Sequence, residues 1–348
     1  SSDLTAFNQA YIGVNYQTIG RVGQQLGADL YLGPIYTWGT IGGRTDFYMW
    51  KPVFLDYSYN FAVRNFRHGS FGNITKIDNT RQVKNSESFF SVAAGMPLAH
   101  RGVFLIRANG GHVNYRYDSD ELFADDTDHS RYSFFGIKAE LARNTLDKFL
   151  YPRRGSDLKL SGIFVTGRDK YEPFDAEKFL SRTSRQWVGA RLTWDKYFDM
   201  PGCSWFSLGL NVDGVITNHP EFTTEGATVM SMPAYEPVPH AQMIYMPDFR
   251  GKRFAAGGVM PTFDLMPNFF LRTGFYAMFR EKRSFVPGVS GPVEDKRWHY
   301  IAEASLVYHT PIGPVSLALT KYDLRNWKNM YLTFNFGYAI FAPKGTFY

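Results

Sequence analysis

Apolar and polar residues alternate with period two through much of this chain. In Val315-Ser316-Leu317-Ala318-Leu319-Thr320, one face carries Val, Leu and Leu and the other Ser, Ala and Thr. In the run from Tyr331 to Ile340, Leu332, Phe334, Phe336, Tyr338 and Ile340 share one face, and Tyr331, Thr333, Asn335, Gly337 and Ala339 share the other. A strand sends successive side chains to opposite faces, so each run has one greasy face and one small or polar face. The second face is neutral rather than charged. That suits a barrel wall with lipid outside and a crowded polar lumen inside. A half-buried soluble sheet also alternates, and these two runs alone leave it open.

The same reading along the chain predicts strands over residues 11–18, 22–33, 41–50, 53–63, 71–77, 87–94, 103–117, 133–142 and 157–165. It continues with 188–194, 206–215, 254–263, 269–279, 299–309, 315–320 and 330–341, about sixteen in all. The longest stretch without alternation is 218–251. From residue 133 onward the connections sort by length. Those at 199–202, 264–268 and 310–314 are short; those at 167–184, 218–251 and 281–297 are long. Short periplasmic turns and long extracellular loops mark outer-membrane barrels, whereas a sandwich has no reason to sort its loops. The fold class expected is all-β: a transmembrane antiparallel barrel of about sixteen strands, with both termini periplasmic. Residues 1–348 read as one barrel domain.

Composition agrees. Aromatics make up 17%, with 22 Tyr and 31 Phe, enough for girdles at both membrane interfaces. Mean hydropathy is −0.28 and no apolar run reaches the ~18 residues of a spanning helix, but spanning strands need only about 9–11 alternating residues. The one cysteine, Cys203, excludes an internal disulfide and a four-cysteine zinc site. Net charge is +6 without a recognised nucleic-acid module, so no nucleic-acid partner is expected. The chain starts at Ser1-Ser2-Asp3 without a signal peptide, so a signal and any upstream domain are expected to have been removed or not included.

Candidate chemistry is sparse. A serine hydrolase needs Gly-x-Ser-x-Gly, whose glycines permit the sharp nucleophile turn. His68-Gly69-Ser70-Phe71-Gly72 and Gly288-Val289-Ser290-Gly291-Pro292 each lack one glycine. The eight histidines make no ligand pair. The acidic stretch 118–128 could offer carboxylates to Ca²⁺, but it lacks the glycine and glutamate positions of an EF-hand and reads better as a solvated loop. No catalytic residue, metal or cofactor is expected.

Three motifs carry a resemblance. Arg143-Asn144-Thr145-Leu146-Asp147 through Tyr151-Pro152-Arg153-Arg154-Gly155 resembles a turn of the BamA-like outer-membrane insertase and translocase superfamily, with Asp147, Pro152 and Gly155 at its marked positions. Phe249-Arg250-Gly251, late in the longest loop, resembles that superfamily's loop-six signature, although Lys252 stands where an aromatic is usual. Tyr308-His309-Thr310-Pro311-Ile312-Gly313-Pro314-Val315 resembles the turn before its last two strands. The closing run, with Phe249-Arg250-Gly251-Lys252-Arg253-Phe254, is most similar to the barrel of the patatin-like phospholipase branch. The tail 342–348 departs from the pattern by displacing the terminal aromatic strand signal.

The resemblance implies an outer-membrane location in a Gram-negative bacterium and a sixth extracellular loop that folds inward. Arg250 would then enter the lumen. Parity places Asp157, Asp213, Arg272 and Glu303 on inward faces, and Glu303 is the expected carboxylate partner of Arg250. The functions implied are anchoring or export of an upstream lipid acyl hydrolase or, alternatively, insertion or translocation of other proteins. A diffusion porin would want opposed charge rows at a constriction, which small, mixed lumen faces do not supply. Expected partners are outer-membrane lipids, an upstream hydrolase domain or a client polypeptide, and a second copy in a homodimer.

Overall fold

The structure is a computed structural model. It describes residues 10–20, 22–33, 36–48, 50–67, 82–99, 101–118, 127–172, 181–200, 202–203, 205–223, 225–238, 241, 246–281, 298–311, 313–322, 330–336 and 345. Within them lie β1 Ala10–Thr18, β2 Gly23–Leu32, β3 Tyr36–Tyr48, β4 Pro52–Arg67, β5 Gln82–Leu98, β6 Gly102–Asp118, β7 Thr127–Asn144 and β8 Gly155–Glu172. β9 Ser181–Asp199, β10 Phe206–Thr217, β11 Arg253–Met266, β12 Phe269–Arg280, β13 Trp298–Thr310, β14 Gly313–Tyr322 and β15 Met330–Phe336 follow. One short helix, α1 Glu225–Ser231, and a 3-10 turn, Pro247–Phe249, interrupt the loop between β10 and β11. All fifteen strands form one sheet in chain order, each antiparallel to the next.

Side-chain exposure follows the predicted parity. On β14 and β15, Ser316, Ala318, Thr320 and Thr333 are buried, while Leu317, Leu319, Leu332 and Phe334 are exposed, Phe334 at 68%. Phe90, Ile106, Phe135, Ile137, Leu141, Leu160, Phe164 and Val188 are exposed on β5 to β9. A soluble protein rarely shows so wide an apolar surface, and in a bilayer it is the surface that meets lipid. The sheet curls. The Tyr151 hydroxyl, in the β7–β8 turn, reaches Ser316 on β14 at 3.0 Å. Gly345, beyond β15, meets β6 and β5: its carbonyl accepts from Asn109 and its N–H donates to Glu87.

The described strands number fifteen, where about sixteen are expected. The stretch 71–77 lies outside the described residues, and β4 pairs directly with β5 from Phe54↔Gly95 to Arg67↔Gln82, so no strand stands between them. Both ends of the wall are also not on one side. The connections after the odd-numbered strands are short except for the ten-residue turn after β7, and from β4 onward those after the even-numbered strands are seven residues or longer. β1 therefore begins at the long-loop side and β15 ends at the short-turn side. Being separated by fourteen antiparallel steps, β1 and β15 run in the same direction, and they are not paired to each other among the described residues. Strands also run longer than predicted, for example Gln82–Leu98 against 87–94. The ladder continues above the lipid, where the outward residues turn polar and the apolar alternation fades.

The parity gives a direct test. An Arg at the lipid midplane costs roughly 2–4 kcal/mol, and a lumen site much less. Phe334→Arg should therefore impair folding into bilayers more than Thr333→Arg, scored by heat-modifiable gel migration. Equal or reversed effects would shift the register by one.

Candidate functional site: the inward-folded loop

Residues 218–252 join β10 to β11, and the described ones among them fold into the lumen. Asn218 starts the turn: its N–H donates to the Val188 carbonyl at 3.2 Å and its side-chain oxygen accepts from the Val188 N–H at 2.7 Å. His219 and Phe222 then pack among rings from the wall. His219 lies 4.5 Å from Trp187 on β9, and Phe222 lies 5.1 Å from Tyr132 on β7. Thr223 donates through both its N–H and its hydroxyl to Asp169 on β8, at 3.1 and 3.0 Å. Burial pushes the His219 imidazole down to about 3, so it stays neutral there.

The loop then pinches. Tyr235 N–H donates to the Phe249 carbonyl and Gly251 N–H to the Pro233 carbonyl, closing a bridge between Ala234 and Arg250. Arg250 is 8% exposed. One of its terminal nitrogens donates to the Met230 and Met232 carbonyls at 2.9 and 3.2 Å, and the other lies 3.9 Å from Glu236. A guanidinium can cross-link a loop in this way because it offers five donors and no acceptor. Phe249 sits edge-on to His299 on β13 and Tyr322 on β14.

Wall residues hold the pinch in place. Arg191 on β9 grips Asp213 on β10 bidentately, at 3.1 and 2.6 Å, and donates to the Ala234 carbonyl at 3.1 Å. Tyr235 hydroxyl donates to Asn211 on β10 at 2.7 Å. Arg280 on β12 donates to His299 at 3.0 Å and to the Arg250 carbonyl at 3.4 Å.

The predicted residues do not all meet. Arg250 lies in the lumen, but its carboxylate neighbour is Glu236 of the same loop, at 3.9 Å, not Glu303. Glu303 points inward and accepts from Ser305 and Thr320 at 2.9 and 3.2 Å. The reason is geometric: the loop folds back on itself, so its own residues reach the guanidinium before the wall does. Asp213 serves Arg191. Arg272, also inward, donates to the Tyr197 hydroxyl at 3.3 Å and lies over the Tyr151 and Tyr197 rings. Asp157 is inward and paired with Lys159 at 2.7 Å. Among the described residues no cluster fit to hold a metal occurs. Ser70, Ser290 and most of the acidic stretch 118–128 lie outside the described residues.

The Asp147 turn closes the opposite mouth. Asp147 caps the backbone N–H groups of Arg153 and Arg154 at 3.0 and 3.3 Å. Gly155 has φ +103°, and a Cβ there would lie 2.3 Å from the Thr145 carbonyl, so only glycine fits. Buried Pro152 follows Tyr151, whose ring reaches into the barrel against Phe270. Arg153 ties the turn to Asp264 on β11 at 2.6 Å. Sequence reasoning missed Tyr151, Arg191, His219, Tyr235 and Arg280. Arg191 and Arg280 stand at inward positions of their strands, a signal that alternation carries, but nothing in the sequence says that a loop carbonyl awaits them.

Two solved structures are similar in fold. BamA from Haemophilus ducreyi lacking POTRA domains 1-3 superposes with a TM-score of 0.59 at 12% identity, covering 94% of this chain and 68% of that one. CdiB from Acinetobacter baumannii superposes with a TM-score of 0.51 at 10% identity, covering 95% of this chain and 56% of that one. No protein-family model and no curated protein matches the chain. Both likenesses are in fold, and the architecture is that of a BamA-like barrel.

The site yields two predictions. Hydrogen bonds to charged groups contribute about 1.5–3 kcal/mol each. Arg250→Ala should therefore lower the heat stability of the folded barrel by about 3 kcal/mol in semi-native gels. It should couple with Glu236→Gln and be additive with Glu303→Gln; coupling to Glu303 instead would contradict the loop geometry. The second concerns pH. Free imidazole titrates near 6.5 and folded His219 near 3, so the unfolded loop binds the extra proton below 6.5. The contribution of His219 is whole above pH 6.5 and is lost by about 1.4 kcal/mol per unit as pH falls toward 3. His219→Phe should flatten the acid limb of barrel stability, and parallel profiles for parent and variant would count against it.

Proposed function

We propose that this chain is the membrane barrel of an outer-membrane insertase or translocase. The observation that supports it best is the seam. β1 and β15 each have one edge without a partner among the described residues, and they run in the same direction. Direct pairing would be parallel, which is slightly weaker per residue than antiparallel pairing. An antiparallel closure takes one intervening strand. Unpaired strand edges are templates for an added strand. A client polypeptide entering as a strand would meet main-chain donors and acceptors at both edges. β1 is suited to opening, since nearly every residue in it is exposed.

The filled lumen supports the same reading. The inward loop and the Tyr151 turn occupy it from opposite ends, which disfavours a diffusion porin. The patatin-like branch, and with it an anchored lipid hydrolase, gains no support from the two similar structures and is not carried forward.

A photo-crosslinking amino acid at Val14 or Leu332 tests the seam during reconstituted folding or export of an outer-membrane client. Adducts to the client should form at both positions and not at Phe275, in the middle of the wall. Absence of adducts at the two edges, or equal yield at Phe275, would remove the basis for the proposal.

A further inference from the structure

Strands β5 to β8 are 17 or 18 residues long, whereas a tilted spanning strand needs about 9–11. Several residues of each therefore stand outside the hydrocarbon, and the outward faces show on which side. On β7, the exposed Phe135, Ile137, Ala139 and Leu141 make an apolar band that ends at Arg143 beside the short turn. Towards the long-loop side the next outward residues are Ser133 and Arg131. Neighbouring strands change character at the same register. Ser133 faces His112 and Arg168, and Arg131 faces Asn114 and Lys170. Lys84 faces Arg116 further along.

Basic side chains thus occupy the outward face of four adjacent strands, directly above the lipid-facing rows. Lys84, Arg116, Arg131 and Arg168 are exposed. Glu172 is the one acid in these three rows, and Lys170 holds it. Among the residues whose side chains are described, no carboxylate lies within ion-pair distance of Lys84, Arg116, Arg131 or Arg168. The other arc of the barrel differs. There, towards the long-loop side, Trp298 stacks on Tyr300 and packs at a tilt against Phe279, and Arg253 is paired with Glu281. Like charges on adjacent strands repel, and the repulsion is relieved only where an anion sits between them. At the level just above the apolar band lipid headgroups offer phosphates, and arginine forks match phosphate bidentately.

We propose that the outward face of β5–β8, above the apolar band on the long-loop side, binds the phosphate groups of anionic lipid in the outer leaflet. The site gathers phosphorylated lipid on one arc of the barrel and fixes the height of that arc in the membrane.

The test uses the full folded chain in detergent micelles, titrated with fluorescent lipid A or with its enzymatically dephosphorylated form. The parent should prefer the phosphorylated lipid, and salt should weaken its binding. Each cation near an anionic membrane surface contributes about fivefold in affinity. The triple variant Arg116→Gln, Arg131→Gln, Arg168→Gln should therefore bind on the order of a hundredfold more weakly. Arg253→Gln, on the other arc, should bind like the parent. Should the triple variant fail to show heat-modifiable migration, the single changes Arg131→Gln and Arg168→Gln, each expected to lose about fivefold, replace it. Equal binding of both lipids, or variants that bind like the parent, would overturn the proposal. So would inorganic phosphate that competes at the concentration of the lipid, because the site would then be one for free phosphate.

Discussion

Hydrocarbon offers no partner to a backbone N–H or C=O, so a chain that crosses a bilayer as strands must pair each strand with its neighbours. The fifteen strands obey this in the simplest order available, each hydrogen-bonded to the next along the chain. Once the ladder is fixed, period two assigns every side chain to lipid or lumen. Lipid takes the large apolar residues. The lumen receives the polar ones, and being crowded it must satisfy them internally. Arg64 with Glu87, Arg191 with Asp213, and Glu303 with two hydroxyls are the result.

The inward loop follows from the same constraint. A segment of this length is costly to order unless many groups hold it. Three guanidinium groups do so: Arg191 holds the Ala234 carbonyl, Arg250 those of Met230 and Met232, and Arg280 that of Arg250. A buried carbonyl in an irregular loop has no ladder to join, and a fork of donors on the wall or on the loop itself replaces one. The aromatic cluster around His219 adds apolar burial to a surface otherwise held by polar contacts. Two different kinds of attachment thus fix the two halves of one loop.

The wall is uneven around its circumference. β5 to β9 are 17 to 19 residues long and stand above the lipid, whereas β10 to β12 are 12 to 14. Ladder length scales with the number of hydrogen bonds that must break together, so the long arc is the rigid one. The basic outer face lies on that rigid arc.

The sequence by itself determined the strands and their two faces. Period two is a local property, and Leu332, Phe334, Thr333 and Ser316 stand where alternation places them because lipid and lumen impose opposite chemistry on adjacent residues. It determined the alternation of short and long connections, and with it the side of the membrane on which the large loop begins. It marked Arg250 through its neighbours Phe249 and Gly251. Only the tertiary structure decided what Arg250 touches. Glu236 lies fourteen positions before it in an irregular loop, where no period predicts proximity, and the fold-back at Ala234 brings the two together. Strand neighbours escaped the sequence for a related reason: alternation marks a strand whether or not it finds a neighbour, and the direct pairing of β4 with β5 is a long-range fact. The reach of Tyr151 to Ser316 is another, since it depends on the curl of the whole sheet rather than on any run of residues.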